Sequence, residues 1–581
     1  FPERLYGREA QLAVLHHAYD QAVAGGARVL LVGGYSGTGK TSLVLELRRR
    51  TAGLGATVAM GKFDAYDRGT PYKSVVEALR EQLRAAMQRG PDTVHGLRER
   101  LQTAVGDAGQ LLVELIEELG DVLGPQEEVA ALAPHDRRAR VQVGIGRVVQ
   151  ALATPRHPLV LFLDDLQWAD LASLDLLASL ATDPASRHVL IVGAYRDNEV
   201  GPGHPLTEAL ERLRKTDRLD EVALGPLDED AVFSLVADLF PGMTGRVRLA
   251  AACHTKTRGN PFFLRRFLES LVEQGHVHFD PLLERWVGQP SVVETLRMPD
   301  DVADFIAAEI QRFPPAAQEA VAVAACIGQR FDVATLCHAL GAEAGEVLRR
   351  LRPALAAELL QPDHDPDRPG DLVLAFAHDR VRQAAREGLA AERAGEVHRR
   401  VGWYLLQHLQ GTELARRLFE VVEHLNRGQV DGLRLPQRAR LRSLNLEAAR
   451  RAIRSAAFDV GDRYLEQARA LRAPDPWRSD YVQTLAVTVE GARAAWLAGD
   501  HDRMEARVAE AAENGRDVLD RVSALEVRIQ ARLSQQIFRE ALDLTLAALA
   551  ELGLDLPPHP SEEDVGAVLG ATLQGRLCGW Q

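Results

Sequence analysis

The sequence predicts an α/β core, a parallel sheet flanked by helices, followed by mainly helical domains. Three observations predict it. Five short apolar runs alternate with helical patterns over residues 1–225. A glycine-rich bend, Gly34 to Thr41, follows the first run and opens a helix. Beyond about residue 391, helical patterns continue almost without interruption.

The runs are Arg28–Val32, Ala56–Met60, Leu159–Leu163, Val189–Val192 and Glu221–Leu224. Each is short and mostly β-branched or aliphatic, as buried strands of a parallel sheet are. Residues 75–155 read as a long, mostly helical insertion. Asp228–Leu239 reads as a helix opened by an acidic first turn. His276–Val287 reads as a hairpin around Asp280-Pro281. Residues 300–390 carry helices and the short run Leu372–Phe376, with a turn-rich loop at Asp363–Gly370 suited to a wing or hairpin tip. Farther on, helix pairs turn near Ala457-Phe458, Gly499-Asp500 and Ile537-Phe538. The spacing is irregular and longer than the ~34 residues of an ideal tetratricopeptide unit. Ala468, Ala511 and Ala548 in the second helices allow close approach, so the region reads as a degenerate helical-repeat solenoid, with an ordinary helical bundle as the alternative. Four domains result: a nucleotide-binding domain at 1–227, a helical lid with a hairpin at 228–299, a winged helix at 300–390, and TPR-like repeats at 391–581 that are expected to continue past Gln581.

A length of 581 residues agrees with about four domains. With 46% hydrophobic and 26% charged residues, the composition is that of globular protein and excludes wholesale disorder. No apolar run approaches the ~18 residues of a membrane helix. Nothing present resembles a signal peptide, and a cytoplasmic location is expected. Cys253, Cys326, Cys337 and Cys578 form no CxxC pair, which argues against a zinc cluster or a disulfide framework. A net charge of −13 argues against nonspecific nucleic-acid binding. Only five lysines stand against 64 arginines, so a lysine in a special loop is conspicuous.

Gly34-Tyr-Ser-Gly-Thr-Gly-Lys40-Thr41 fits GxxxxGK[ST] without a mismatch, between a strand and the helix Ser42–Arg50. Strand and helix together argue against a chance match. Gly34, Gly37 and Gly39 permit positive φ, so backbone N–H groups along Gly34, Ser36, Gly37, Thr38 and Gly39 can turn onto phosphate oxygens. The helix N-terminus at Ser42 adds partial positive charge. Lys40 is expected to bridge the β- and γ-phosphates of ATP, and Thr41 to ligate Mg²⁺. This is the phosphate loop of a P-loop NTPase. Together with the patterns farther along the chain, the expected fold class is an α/β P-loop NTPase core followed by a helical domain, a winged helix and all-α TPR-like repeats. The apolar strand Leu159–Leu163 ends in Asp164-Asp165. The first carboxylate is expected to hold Mg²⁺ and the second to orient or deprotonate the attacking water. Arg196 ends the next strand and suits a γ-phosphate sensor, with an ion pair to Asp197 or Glu199 as the alternative.

Asp164-Asp-Leu-Gln-Trp-Ala-Asp170, Tyr195-Arg-Asp-Asn-Glu-Val200 and Gly259-Asn-Pro-Phe-Phe263 resemble the signal-transduction ATPases with numerous domains. Within that class the chain is similar to the AAA-type ATPase module of large bacterial serine/threonine kinases and hybrid sensor histidine kinases. Leu5-Tyr-Gly-Arg-Glu9, Gly61-Lys-Phe-Asp64, Phe376-Ala-His-Asp-Arg-Val381 and His424-Leu-Asn-Arg-Gly428 extend the resemblance over nearly the whole chain, most specifically in its first half. The resemblance implies that Leu5–Glu9, with Tyr6, Gly7 and Arg8, lines the adenine side of the pocket. It implies that Pro261 packs on adenine, beside a turn made by Gly259 and Asn260, and that His378 contacts the β-phosphate of ADP and holds a closed resting state. Plain helix-start placement of Pro261 and a core position for His378 between Phe376 and Val381 are the alternatives.

Asp165 stands where many related motors carry Glu, one methylene longer, so slow hydrolysis suited to a timer is expected. The functional expectation is a nucleotide-dependent switch, whose ADP or ATP state governs the helical repeats and their binding of a protein partner, an output domain or further copies of the chain. No kinase glycine-rich loop, HRD loop or phosphoacceptor-histidine domain is visible. A repeat scaffold with a structural nucleotide site is one alternative. A DNA-binding regulator is another, resting on arginines in residues 340–354 and opposed by Asp363, Asp365 and Asp367. Trp168 reads as packing, His16-His17 as a helix face lacking a third ligand, Arg48–Arg50 as cations suited to a helix end, and Arg137–Arg140 as a solvated face rather than an arginine finger.

Overall fold

The computed structural model describes residues 4–53, 55–64, 70–126, 134–295, 302–363, 370–428 and 432–554. The chain divides into two compact units. One runs to Gly432 and omits Ala130–Ala139; the other joins that short segment to the residues from Leu433 onward. No described helix is long and apolar enough to cross a membrane.

The first unit starts with α1 (Glu9–Val23), β1 (Ala27–Gly33), α2 (Lys40–Thr51) and β2 (Thr57–Lys62). The helical insertion follows as α3 (Lys73–Gln88), α4 (Pro91–Val105), α5 (Gly109–Leu115), α6 (Glu118–Leu123) and α7 (Pro134–Leu152), which belongs to this unit from Arg140 onward. The Arg137–Arg140 cluster falls at the start of α7, where the side chain of Arg137 lies outside the described residues. Then come β3 (Leu159–Asp164), α8 (Leu171–Thr182), β4 (Val189–Tyr195), α9 (Pro205–Arg214) and β5 (Leu219–Ala223). The five strands form one parallel sheet in the order β2-β3-β4-β1-β5. Side chains alternate between its faces. Leu30, Val32, Val160, Phe162, Leu190 and Val192 share a core with α1 and α2. Val29, Leu31 and Ile191 meet Leu174 and Leu177 of α8 and Leu206 and Leu210 of α9 on the other face. With both faces covered, a central strand has no wet side, and all six residues of β3 are buried. Order reversal at β1 places the carboxyl ends of β1, β3 and β4 around one crevice, the usual place for a ligand in an open α/β sheet.

Next are α10 (Glu229–Leu239), α11 (Arg246–Thr257) and α12 (Pro261–Glu273). Asp228 caps α10 by accepting from the Ala231 N–H. A hairpin of β6 (Val277–Asp280) and β7 (Arg285–Gly288) turns at the Asp280-Pro281 step, as its sequence indicates. After α13 (Pro290–Thr295) and α14 (Val302–Gln311) come α15 (Pro315–Ile327), β8 (Arg330–Asp332), α16 (Val333–Leu340), α17 (Ala344–Ala356), β9 (Leu360–Asp363), β10 (Val373–Phe376) and α18 (Asp379–Glu387). β10 pairs antiparallel with both β8 and β9, a winged-helix arrangement with α15, α16 and α17. Residues 364–369 of the turn-rich loop lie outside those described. On α17, Arg350 is paired with Glu346 one turn back. α19 (Ala391–His408), α20 (Gly411–Arg416) and α21 (Leu418–Arg427) end the unit. Because α19 packs on α15 and α16, the break between units follows Gly432, while the sequence pattern turns fully helical at 391.

The second unit carries α22 (Leu435–Arg454), α23 (Phe458–Ala470), α24 (Pro476–Ser479), α25 (Tyr481–Leu497), α26 (His501–Asn514), α27 (Val518–Ser534) and α28 (Phe538–Glu551). Its hairpins turn at the three predicted steps. Ala468 and Ala511 are fully buried and Ala548 nearly so, so helices approach closely where side chains are small. Arg442 of α22 is buried and donates to Asp480 Oδ2 at 2.6 Å and Thr484 Oγ1 at 3.1 Å.

Candidate functional site

β1 delivers the chain into the glycine-rich bend, and α2 takes it up at Lys40. Gly39 is the N-cap of α2 at φ +95°, and no side chain caps that helix. Its first-turn N–H groups therefore face the bend without a side-chain acceptor. A Cβ at Gly39 would meet nothing within 4 Å, whereas one at Gly37 (φ +82°) would come within 2.8 Å of Asn260 Oδ1. The bend is open at one glycine and tightly packed at the other. Lys40 Nζ donates to the carbonyls of Gly34 at 2.8 Å and Tyr35 at 2.9 Å, so the ammonium spans the bend. Burial lowers its pKa, against the pull of Asp164 and Asp165. Thr38 Oγ1 donates to the Tyr35 carbonyl at 2.8 Å, and Ser42 is exposed.

Thr41 Oγ1 donates to Asp164 Oδ2 at 2.7 Å, joining the start of α2 to the end of β3. Asp164 Oδ1 accepts from the Asp165 N–H at 3.0 Å. Asp165 adopts a left-handed conformation, φ +56°, which turns its carboxylate off the strand line. There Gln167 Nε2 donates to Asp165 Oδ1 at 2.9 Å, while Gln167 Oε1 accepts from the Arg196 N–H at 3.1 Å. Arg196 Nε lies 3.2 Å from Asp165, Nη1 2.8 Å from Glu199 and Nη2 3.4 Å from Asp379. The guanidinium also sits 4.4 Å from the centre of the Trp168 ring. Arg196 does pair with Glu199, but it is only 4% exposed, so this is no surface ion pair. Burial, with the Asp164 charge beside it, pushes the Asp165 carboxyl up to about 7. Asp379 is held well below the usual carboxylate range by Lys62, overcoming its own burial.

Two later segments reach this crevice. Asn260 caps α12 by accepting from the Phe263 N–H at 3.1 Å, and its Nδ2 donates to the Ser36 carbonyl at 3.0 Å. The Phe262 N–H donates to the Gly37 carbonyl at 3.2 Å. Pro261 stands at the first position of α12. His378 caps α18, its Nδ1 accepting from the Arg380 N–H at 3.1 Å, which leaves the ring proton on Nε2. Its ring centre lies 4.5 Å from that of Phe262, and burial lowers its pKa to about 4. Arg8 is buried and donates to the carbonyls of Thr38 at 3.2 Å and Gly225 at 2.6 Å. Tyr6 and Gly7 instead pack on α10, with the Tyr6 hydroxyl donating to Asp238 at 2.8 Å.

The structure thus gathers Gly34, Ser36, Gly37, Thr38, Gly39, Lys40, Thr41, Asp164, Asp165, Arg196 and Arg8 at one place, with Pro261 and His378 on elements anchored to it. Sequence reasoning passed over Gln167, Trp168, Lys62 and Asp379 as site groups. Each lies inside a string that carried the family resemblance, and Lys62 is one of only five lysines. Gly259 sets the approach of α12. It holds φ +70°, and a Cβ there would lie 2.1 Å from the Leu227 carbonyl oxygen. Gly259→Ala is expected to destabilise the chain by ~2 kcal/mol or more, read as a lowered denaturant midpoint.

A parallel sheet with a phosphate-loop bend at β1 and paired carboxylates at β3 defines the P-loop NTPase class. More particularly, residues 4–192 match the family model described as an AAA ATPase domain. The hybrid signal transduction histidine kinase G of Dictyostelium discoideum is 20% identical over 674 aligned residues, covering 95% of this chain and 19% of that protein. An uncharacterized protein of Rhizobium meliloti (strain 1021) is 28% identical over 233 residues, covering 39% of this chain and 21% of the relative. The chain spans about a fifth of the length of these curated relatives. Among solved structures, the STAND protein (signal transduction ATPase with numerous domains) with a tetratricopeptide repeat sensor from Pyrococcus horikoshii aligns at 15% identity and a TM-score of 0.43, covering 99% of this chain and 75% of that one.

Proposed function

We propose that the first unit is a slow, nucleotide-dependent switch that binds ADP at rest and ATP when active. The observation that supports it best is the position of Arg196. One guanidinium touches the β3 carboxylate Asp165 and the α18 carboxylate Asp379, so a group poised to sense a terminal phosphate also engages the element that would have to move. A ligand shifts an equilibrium only by unequal affinity for two states, and this contact supplies the inequality.

Mg²⁺ suits the oxygen pair of Thr41 and Asp164, already 2.7 Å apart, and when bound it offsets charge developing on phosphate oxygens. Lys40 exchanges the Gly34 and Tyr35 carbonyls for the β- and γ-phosphates. Arg8 and Pro261 frame the base. The Nε2–H of His378 donates a hydrogen bond to the β-phosphate of ADP. Asp165, oriented by Gln167, accepts the proton of the attacking water. Arg196 turns from Asp165 and Asp379 to the γ-phosphate and releases α18. The helical repeats then become available to a protein partner, an attached output domain or another copy of the chain. The Dictyostelium relative, named as a signal transduction histidine kinase, is consistent with such an output.

Asp165 is short and its partners hold it in place, so turnover at saturating ATP is expected to stay below the ~10 s⁻¹ median of enzymes. A faster rate in a coupled phosphate-release assay contradicts the timer. Small-angle scattering with ADP and with a non-hydrolysable ATP analogue is expected to give different profiles. Identical profiles and identical oligomeric states overturn the switch.

A further inference from the structure

The chain continues past β2 as a short extension whose charges match those of α18. The Phe63 N–H donates to the Asp164 carbonyl at 3.0 Å, so the ladder with β3 carries one residue beyond Lys62. Phe63 is buried, and alternation turns its neighbours Lys62 and Asp64 to the opposite side. On α18, Asp379 and Arg382 are three residues apart and share a face, while Val381, Ala384 and Ala385 are buried. The two pairs meet: Lys62 Nζ lies 2.7 Å from Asp379, and Arg382 grips Asp64 with both terminal nitrogens at 2.5 and 2.7 Å. The Arg382 side chain is only 6% exposed. The order is plus then minus on the extension, and minus then plus on the helix. A shift of one helical turn would set like charges together, so the pattern selects one seating of α18.

We propose that the end of β2, through Lys62 and Asp64, is a charge-coded dock for α18, and that the Asp64–Arg382 pair sets how long bound ADP is retained. This rests on the reading of α18 as the element that closes over the nucleotide. Asp64 and Arg382 act there as positioning residues: they hold the helix that carries His378 and Asp379.

The test uses the full chain loaded with a fluorescent N-methylanthraniloyl ADP and chased with excess unlabelled ADP. D64R and R382D are each expected to speed release by about tenfold or more, because each leaves like charges facing one another. The double reversal D64R/R382D restores the pair and is expected to return release to within about threefold of wild type, the coupling a double-mutant cycle detects. Single variants that release at the wild-type rate, or a double variant as fast as the singles, overturn the dock. Should a reversal prevent folding, judged by its thermal melt, D64N and R382Q replace it and are expected to speed release in the same direction; unchanged release with both overturns the dock. If the wild-type chain binds no ADP, the functional reading falls, and hydrogen exchange of α18 decides the dock alone. Protection of Asp379–Glu387 lost in the singles and regained in the double supports it; equal protection in all four chains overturns it.

Discussion

Lys40→Ala is expected to lower the affinity for both ADP and ATP by about 100-fold or more, the equivalent of ~3 kcal/mol from two charge-assisted hydrogen bonds. The ammonium of Lys40 already sits 2.8 Å from the Gly34 carbonyl and 2.9 Å from that of Tyr35, spanning the bend whose N–H groups are to receive phosphate. It has no carboxylate partner at hydrogen-bond distance among the described contacts, so phosphate oxygens replace two neutral acceptors by charged ones. Truncation removes that gain and leaves the bend otherwise intact, since Gly34, Gly37 and Gly39 keep their own conformations. The melting temperature of the nucleotide-free variant is therefore expected to stay near wild type. Isothermal calorimetry measures the affinity, and a variant that binds ADP as tightly as wild type would remove Lys40 from the site. Lys40→Arg is expected to fail as well, because a planar fork on a longer stem does not fit where a compact ammonium meets two carbonyls.

Much of this arrangement was legible in the sequence for definite physical reasons. The central strands β1, β3 and β4 were visible because a sheet covered on both faces needs continuous apolar runs, and Leu159–Leu163 is such a run ending in two acids. The bend was visible because only glycine tolerates Gly34, Gly37 and Gly39 at their positive φ values, and because a strand and a helix flank it. The turns at Ala457, Gly499 and Ile537 were visible as interruptions between amphipathic stretches. What stayed hidden depends on tertiary packing. Arg196 meets Asp379 across 183 residues, and no local pattern couples them. Gln167 carried no sequence signal of its own, yet its amide fixes both Asp165 and the backbone of Arg196. Trp168 was assigned to packing; its ring does pack, against the guanidinium of Arg196. An amphipathic helix such as α19 shows that one face is covered but not by which neighbour, so the unit break after Gly432 had no local signature.

Asp165→Asn is expected to lower ATP turnover by about 100- to 10,000-fold, the range that loss of a general base commands, while leaving ADP affinity within a few-fold of wild type. The separation follows from geometry: Thr41 and Asp164 form the oxygen pair suited to the metal, and Asp165 stands beyond it, held by Gln167 and Arg196. An amide of the same shape can keep an acceptor toward Arg196 but cannot take a proton. The same substitution carries a stability signature that a purely structural carboxylate would lack. In the metal-free, nucleotide-free chain, burial and the neighbouring Asp164 push the Asp165 carboxyl up to about 7 from the ordinary aspartate value of 3.8. Between those values the folded chain holds a proton that the unfolded chain has released, so its contribution to stability is fully present below about pH 4 and is lost as the pH rises through about 7. The asparagine variant has no such proton to lose. Measured with chelator present, its melting temperature relative to wild type is expected to climb between pH 5 and pH 8. A variant that keeps wild-type turnover would remove Asp165 from the chemistry. A difference in melting temperature that stays flat with pH would instead mean that Lys62, 3.6 Å from Asp165, and Arg196 keep the carboxylate ionised throughout.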